Sequence, residues 1–272
     1  MPYDKMTASE AKDRFITNLV PSVGTETDWT YEDSLDAGVL EEAAALPPSV
    51  DLRADWWTIN NQESTGSCVG WASADGVARW HFFTVGKIGA DELLSPRHVW
   101  MGSKETDQFT DRPSTFIEAA GTMLKPAVDV LRNYGAALET DQPFHINTTM
   151  YIGNENVYYA KAAERKIARY FNLGLNLEGW KRWLAEGRGP ILAGFQVDDS
   201  WYEATEKDGL VDVFQPATVV GGHAIAIVGY RADGRFIVRN SWGTGWGDEG
   251  FGYLAPAYIE EAFFGESYGV TL

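Results

Sequence analysis

The chain has 272 residues, and its hydrophobic fraction of 44% is sufficient to form the buried core of one two-lobed domain. Its 39 acidic residues exceed its 22 basic residues, which gives a formal net charge of -17 at pH 7. This excess of negative charge argues against nucleic acid and anionic membrane surfaces as partners.

Residues 1–45 form an N-terminal extension. A short helix is predicted over residues 7–19, because Thr7 followed by Glu10 is a capping-box pattern. The extension contains no apolar run long enough for a signal peptide, and no later run approaches the ~20 apolar residues of a membrane span. The single cysteine excludes an internal disulfide. We therefore expect a cytoplasmic protein, with export by an unconventional route as the alternative.

The single cysteine, Cys68, lies in the segment NNQESTGSCVGWASADGVARW, where a glycine-rich turn leads into a helical pattern of apolar residues. The pattern predicts a helix from residue 67 or 68 to about residue 85. Unpaired N–H groups and the helix dipole stabilise a thiolate at a helix N-terminus, which predicts a nucleophile. The alternative is a small apolar residue that packs in the core.

Further elements follow from periodicity along the chain. Residues 113–134 are predicted to be mainly helical, and residues 177–186 to be an amphipathic helix. Residues 154–172 are helical by composition, with a strand from Lys166 onward as the alternative. Strands are predicted at residues 190–196, 223–231, 235–240 and 250–254. Helices in the first half and strands in the second predict an α+β fold of two lobes with a cleft between them.

Two further polar residues complete a catalytic pattern. His223 begins the apolar strand in VVGGHAIAIVGY, and Asn240 ends the next strand after a tight turn, so the two should be neighbours on antiparallel strands. A thiol that attacks a carbonyl, an imidazole that takes its proton and an amide that orients the ring are the parts of a Cys-His-Asn triad. Gln62 precedes Cys68 by six residues, and its side-chain NH₂ together with the Cys68 backbone N–H would stabilise an oxyanion.

These motifs resemble those of the papain-like cysteine peptidases, and the resemblance extends over most of residues 46–272. LPPSVDLR resembles the start of the mature domain, QESTGSC the Gln-to-Cys loop, GGHAIAIVGY the His strand, and NSWGTGWGDEGFGYL the Asn motif. The resemblance implies a triad of Cys68, His223 and Asn240, with Gln62 as the oxyanion donor. It also implies that Trp242 shields the hydrogen bond between His223 and Asn240.

The resemblance further implies a domain organisation. A helical lobe would occupy about residues 46–150, and a lobe resembling an antiparallel β-barrel would occupy about residues 151–272. Gly221 and Gly222 would lie beside the substrate pocket, leaving its wall open to a bulky side chain or to a loop from elsewhere in the chain. Because residues 1–45 are too short for the usual pro-domain of the family, we expect a structural extension wrapped on the surface, with an inhibitor that occupies the cleft as the alternative.

The chain departs from the family pattern at three positions. Val69 follows the nucleophile where Trp or Tyr is usual, Thr65 replaces a second cysteine, and Glu63 replaces the glycine after Gln62. The lost cysteine removes a disulfide, so the chain resembles the cysteine-poor microbial branch. Glu63 brings a carboxylate to the oxyanion loop, but no departure removes a catalytic group.

The predicted function is hydrolysis of peptide bonds through a thioester acyl-enzyme, with a peptide or protein as substrate. A transpeptidase, cyclase or amide ligase is one alternative, because an amine can intercept the same thioester. A non-catalytic binding module that keeps the fold is another. His81, His98 and His145 lack a Cys, Asp or Glu at metal-ligand spacing, so neither a metal nor another cofactor is predicted. The oligomeric state is left open.

Overall fold

Helices precede most of the strands along the chain, as the sequence predicts. The computed structural model describes residues 5–41, 45–107, 114–115, 117–145 and 153–272. The helices are α1 (Ala8–Arg14), α2 (Tyr31–Asp36), α3 (residues 68–84), α4 (Pro96–Thr106), α5 (Leu124–Asn133), α6 (Glu155–Ala163), α7 (Leu177–Ala185), α8 (Asp199–Tyr202) and α9 (Pro256–Ala262). The strands are β1 (Val50–Asp51), β2 (Arg169–Asn172), β3 (Ile191–Val197), β4 (Leu210–Val211), β5 (Gly221–Tyr230), β6 (Phe236–Arg239), β7 (Phe251–Leu254) and β8 (Phe263–Thr271).

The strands form one sheet in the order β2-β8-β3-β5-β6-β7-β4, and β1 pairs with β5. The α+β class is confirmed, but the barrel-like description is wrong. The path ends at β2 and at the two-residue strand β4, which do not pair with each other, so the sheet stays open within the described residues. The sheet is also not wholly antiparallel, because β4 and β7 run parallel.

Helix α3 is the central helix and begins at Cys68. It is α-helical over Cys68–Gly70, π-helical over Trp71–Ala78 and α-helical over Arg79–Thr84. Gly70 allows the helix to lie directly on α4, because a Cβ atom there would overlap the Pro96 carbonyl group. This close packing places the first turn of α3 against the start of α4.

Strand β5 is buried on both faces, which accounts for its continuous apolar run. Ile225 and Ile227 belong to the apolar cluster that contains Trp180 and Trp183 of α7. The intervening residues of β5, Ala224, Ala226 and Val228, belong to the cluster around α3. The strand therefore separates the two clusters, and His223 stands near its first residue.

The structure corrects two predicted helices. Among the described residues of the region 113–134, only α5 is an α-helix, and it begins at Leu124, so Pro126 lies in a first turn where its missing N–H is not needed. Residues 113 and 116 lie outside the described residues. Helix α1 has the predicted capping box between Thr7 and Glu10, but it ends at Arg14 because Phe15 is extended. Among the described residues, no helix is long and apolar enough to cross a bilayer.

Candidate active site

Cys68 lies at the N-terminus of α3 and is fully buried. The backbone N–H groups of Ala224, Val69 and Asn18 face its sulfur. Since Ala224 directly follows His223, the thiol lies against the first residues of β5. The chain thus brings residue 68 and residue 223 to one place.

His223 and Asn240 are neighbours, as the hairpin between β5 and β6 predicts. The imidazole Nε2 lies 2.7 Å from Asn240 Oδ1, and the same oxygen accepts the backbone N–H of Ser241 at 2.8 Å. Because an amide oxygen only accepts, this contact assigns the proton of the neutral ring to Nε2. Nδ1 is then an acceptor, and it is buried without a hydrogen-bond partner among the described residues.

Gln62 is buried and its carboxamide is held in one orientation. Ser241 Oγ donates to Gln62 Oε1 at 2.9 Å, and the Gln62 backbone N–H donates to the Ser241 carbonyl at 2.8 Å. The NH₂ group therefore points the other way, where it donates to the carbonyl oxygens of Ile16 and Thr65, both at 3.1 Å. Ser241 has no role in the sequence prediction, although it belongs to the NSW motif.

Trp242 covers the histidine. Its ring centroid is 4.9 Å from that of His223, and its side chain is fully buried. The described residues thus include a buried thiol at the start of α3, an acceptor nitrogen on a ring that an amide orients, and an NH₂ donor held in one direction. Residues 46–262 match the family described as papain family cysteine protease.

The chain belongs to this family. It is a papain-like cysteine peptidase, whose substrates are peptides or proteins. A cathepsin L-like proteinase of Fasciola hepatica is 22% identical over 256 residues, which cover 92% of this chain and 70% of the relative.

Solved structures resemble this peptidase over nearly its full length. Xylellain, a cysteine protease from Xylella fastidiosa, has a TM-score of 0.75 at 21% identity, with 100% of this chain and 98% of that one covered. ProCathepsin B S9 from Trypanosoma congolense has a TM-score of 0.67 at 18% identity, with 97% and 88% covered. At these identities the likeness establishes the papain-like fold.

The N-terminal segment of the peptidase, residues 15–22, runs through the cleft beside the cysteine. The ring of Phe15 stacks on Trp242 with centroids 4.7 Å apart, and the Ile16 carbonyl accepts the Gln62 NH₂. Leu19 donates its N–H to the Gly222 carbonyl at 2.9 Å. This course differs from the expected extension wrapped on the surface.

The two glycines before His223 are in contact with this segment. A Cβ atom at Gly221 would overlap the Thr17 carbonyl oxygen, and one at Gly222 would meet the Leu19 carbonyl oxygen at 2.8 Å. The Leu19 side chain is 4% exposed and fills a recess beside Gly194. The sequence analysis left two possibilities for this wall, an opening for a bulky side chain or closure by a loop from elsewhere in the chain. In the structure, a segment from the N-terminal part of the chain lies against the wall.

Beyond the cleft, the end of the segment and the residues that follow it are held by charged and polar side chains. Glu266 Oε1 accepts the Ser22 N–H at 2.8 Å. Lys125 Nζ pairs with the Asp28 carboxylate and also donates to the Gly24 carbonyl at 2.8 Å. Tyr268 donates to Asp28 at 3.0 Å.

The buried site favours neutral groups. Burial raises the pKa of the Cys68 thiol to about 11, and the N–H groups that face the sulfur offset this only in part. Burial likewise lowers the pKa of the His223 imidazole to about 4, against the opposing effect of Asn240. With the segment in place, desolvation thus outweighs the helix dipole on which the expectation of a thiolate rested.

A buried ion cluster ties the cysteine helix to the strand before Asn240, and the sequence analysis missed it. Asp75 of α3 pairs with Arg79 at 3.1 Å and with Arg239 of β6 at 2.7 Å. All three side chains are at most 3% exposed. The i,i+4 spacing of Asp75 and Arg79 in the sequence is the signal from which this ion pair could have been predicted. The cluster fixes the position of β6 relative to α3.

The remaining predicted features lie outside the site. Glu63 adopts a left-handed conformation with φ of 54°, as a position usually held by glycine would require, and its carboxylate lies 3.9 Å from His145 Nδ1. His98 is buried against Tyr158 and the Gly135 carbonyl. Within the described ranges, no group of three or more ligating side chains is arranged to hold a metal.

Proposed function

We propose that this peptidase hydrolyses peptide bonds through Cys68, His223 and Asn240, by way of a thioester. The observation that carries the proposal is the 2.7 Å contact of His223 Nε2 with Asn240 Oδ1, which leaves Nδ1 as the acceptor. The N–H of Ala224, the residue directly after His223, faces the Cys68 sulfur. Asn240 acts as the orienter of the ring. Residues 46–272 form the peptidase domain.

The reaction begins when Nδ1 of His223 accepts the thiol proton and the sulfur of Cys68 attacks the substrate carbonyl carbon. The carbonyl oxygen becomes an oxyanion that accepts hydrogen bonds from Gln62 Nε2 and the Cys68 N–H. The loss of one such donor typically costs about 2.7–4 kcal/mol of transition-state stabilisation. His223 then gives its proton to the leaving amine, and water, deprotonated by the same ring, cleaves the thioester.

We further propose that residues 15–22 inhibit the enzyme and must withdraw before a substrate binds. Support comes from the donors that they occupy: the Ile16 carbonyl takes the NH₂ group of Gln62, and the Asn18 N–H faces the Cys68 sulfur. Because an N–H group is not an electrophile, the contact between the Asn18 N–H and the sulfur does not position a peptide bond for attack by the thiol. A similar solved structure is named a procathepsin, which is consistent with an inhibitory segment here.

Withdrawal would also activate the thiol. Water that enters the cleft removes the desolvation that now raises the pKa of Cys68 and lowers the pKa of His223. The helix dipole and the N–H groups around the sulfur then favour a thiolate beside an imidazolium. Inhibition and activation are thus two consequences of one movement.

The test is peptide turnover with product analysis by mass spectrometry. Wild type should cleave a peptide library slowly, and Cys68→Ala should not cleave it at all. His223→Ala should lose turnover but keep its fold by circular dichroism, and a folded wild type without turnover under any condition that exposes the cleft would contradict the proposal. Addition of a free amine distinguishes hydrolysis from aminolysis, since a ligase would yield the amide product in place of the acid.

A further inference from the structure

We propose that the cavity between helices α4, α5 and α6 binds the ammonium group of an organic cation, carried either by a small molecule or by a basic side chain. The cavity has a volume of about 400 Å³, and its lining includes three tyrosines and two glutamates: Tyr134, Tyr158, Tyr159, Glu105 and Glu155. None of the described residues that line it belongs to the triad or to the segment 15–22. The cavity is therefore a site separate from the cleft.

The three tyrosine rings stand at steep angles to one another. Tyr159 contacts both of the others, with its ring centroid 5.2 Å from that of Tyr158 at 74° and 6.1 Å from that of Tyr134 at 53°. The face of an aromatic ring attracts a cation that lies within about 6 Å of the centroid. Rings set at such angles can present their faces to one cation from several directions, as in the aromatic cages that hold quaternary ammonium groups. The arrangement favours a compact cation as the ligand.

Tyr158 is held in place by His98. Burial lowers the pKa of the His98 imidazole to about 4, so the ring is neutral near pH 7. Its Nε2 lies 3.1 Å from the Gly135 carbonyl and must carry the proton, so Nδ1 accepts the Tyr158 hydroxyl. One cation, Arg165, lies near His98, but its Nε donates to the Ala136 carbonyl at 3.0 Å. This wall of the cavity is thus fixed before a ligand enters.

The charges around the cavity are negative. Glu105 and Glu155 are both exposed, and neither lysine nor arginine is found in the lining among the residues that the structure describes. Helix α4 ends here at Thr106 and helix α5 ends at Asn133, next to Tyr134, and the C-terminal end of a helix carries a partial negative charge. The N-terminus of α6 opposes this effect, but Glu155 lies in its first turn. The net field attracts a cation and repels an anion.

The experiment titrates the full chain with choline, followed by calorimetry at physiological ionic strength. The comparison ligand is the neutral isostere of choline, in which a tert-butyl group replaces the trimethylammonium group. Choline should bind at least about tenfold more tightly than the isostere, because only the cation is attracted by ring faces and carboxylates. Equal affinities would overturn the inference, since they would mark a site that reads shape and apolar surface alone.

The same titration with N-acetyl-lysine methylamide distinguishes the two sources of the ammonium group. Tighter binding of choline would assign the cavity to a small quaternary ammonium compound. Tighter binding of the lysine derivative would assign it to a basic side chain of a partner. If neither ligand binds, the inference is wrong. Because every readout is binding, the result does not depend on whether the proposed peptidase activity is found.

Substitutions locate the site. Tyr159→Ala should weaken the binding of choline about tenfold, whereas Tyr159→Phe should keep the affinity because the ring face remains. Tyr134→Ala tests the same point at a side chain that is 46% exposed, so its loss should leave the fold intact by circular dichroism. Unchanged affinity in both alanine variants would overturn the inference.

A charge substitution separates the site from the general field of the chain. Glu105→Gln keeps an acceptor for the Thr115 hydroxyl, which lies 3.0 Å from Glu105 Oε1, but removes the charge, and it should weaken choline binding about threefold. The matched control is Glu260→Gln in α9, an exposed glutamate that makes the same change in net charge. It should leave the affinity unchanged. Equal losses in the two variants would show attraction to the overall charge of -17 alone and would overturn the inference.

Discussion

Replacement of Leu19 by alanine tests whether the segment closes the cleft. The Leu19 side chain is 4% exposed and fills the recess beside Gly194. Truncation of a buried leucine to alanine costs about 2–5 kcal/mol. We take the lower end, about 2 kcal/mol, because water can enter this recess from the cleft; at about 1.4 kcal/mol per factor of ten, the open population rises about thirtyfold.

The assay is the rate of alkylation of the thiol by iodoacetamide at pH 7, read by intact mass. Because Cys68 is the only cysteine, one adduct reports one site. Leu184→Ala is the matched control, since Leu184 in α7 is 1% exposed and belongs to the cluster that excludes Cys68. The reasoning is refuted if Leu19→Ala is alkylated no faster than Leu184→Ala while both remain folded.

Three further outcomes are expected. The pKa of His223 is about 4 in the closed state, below its ordinary value of ~6.5, so the open state binds the proton more readily. The closed state should therefore lose stability as the pH falls from ~6.5 to about 4. Hydrogen-exchange protection of residues 15–20 that stays constant over this range, after correction for intrinsic rates, would contradict this. Asp75→Asn leaves the Arg239 guanidinium buried without its charge partner and should cost about 3–5 kcal/mol in urea unfolding, whereas a loss below about 1 kcal/mol would refute the role of the cluster. Asp28→Asn removes the partner of Lys125 and should raise the alkylation rate about tenfold, and an unchanged rate would show that this pair does not hold the segment.

The elements around the site could be predicted because each carries its own local constraint. The continuous apolar run after His223 predicts a strand buried on both faces, and β5 is such a strand. The tight turn that follows brings Asn240 next to it, which the 2.7 Å contact bears out. The helix that begins at Cys68 is also where its periodicity predicts, although its middle is π-helical.

The course of the N-terminal segment could not be predicted, because its contacts leave no local pattern. It is held mainly through backbone groups, such as the Ile16 carbonyl and the Leu19 N–H, which every residue type supplies. The pairing of Asp75 with Arg239 joins residues 164 positions apart, beyond the reach of periodicity. The raised pKa of Cys68 could not be predicted for the same reason, because the burial that raises it depends on the position of the segment.

Since the segment that fills the cleft is part of the same polypeptide, its occupancy does not depend on how much protein is present. A tether gives the segment an effective concentration in the millimolar range for short flexible connections, so even weak docking keeps the enzyme closed. A cut in the connecting chain would end that advantage. The freed peptide would then dissociate on dilution, and the enzyme would stay open.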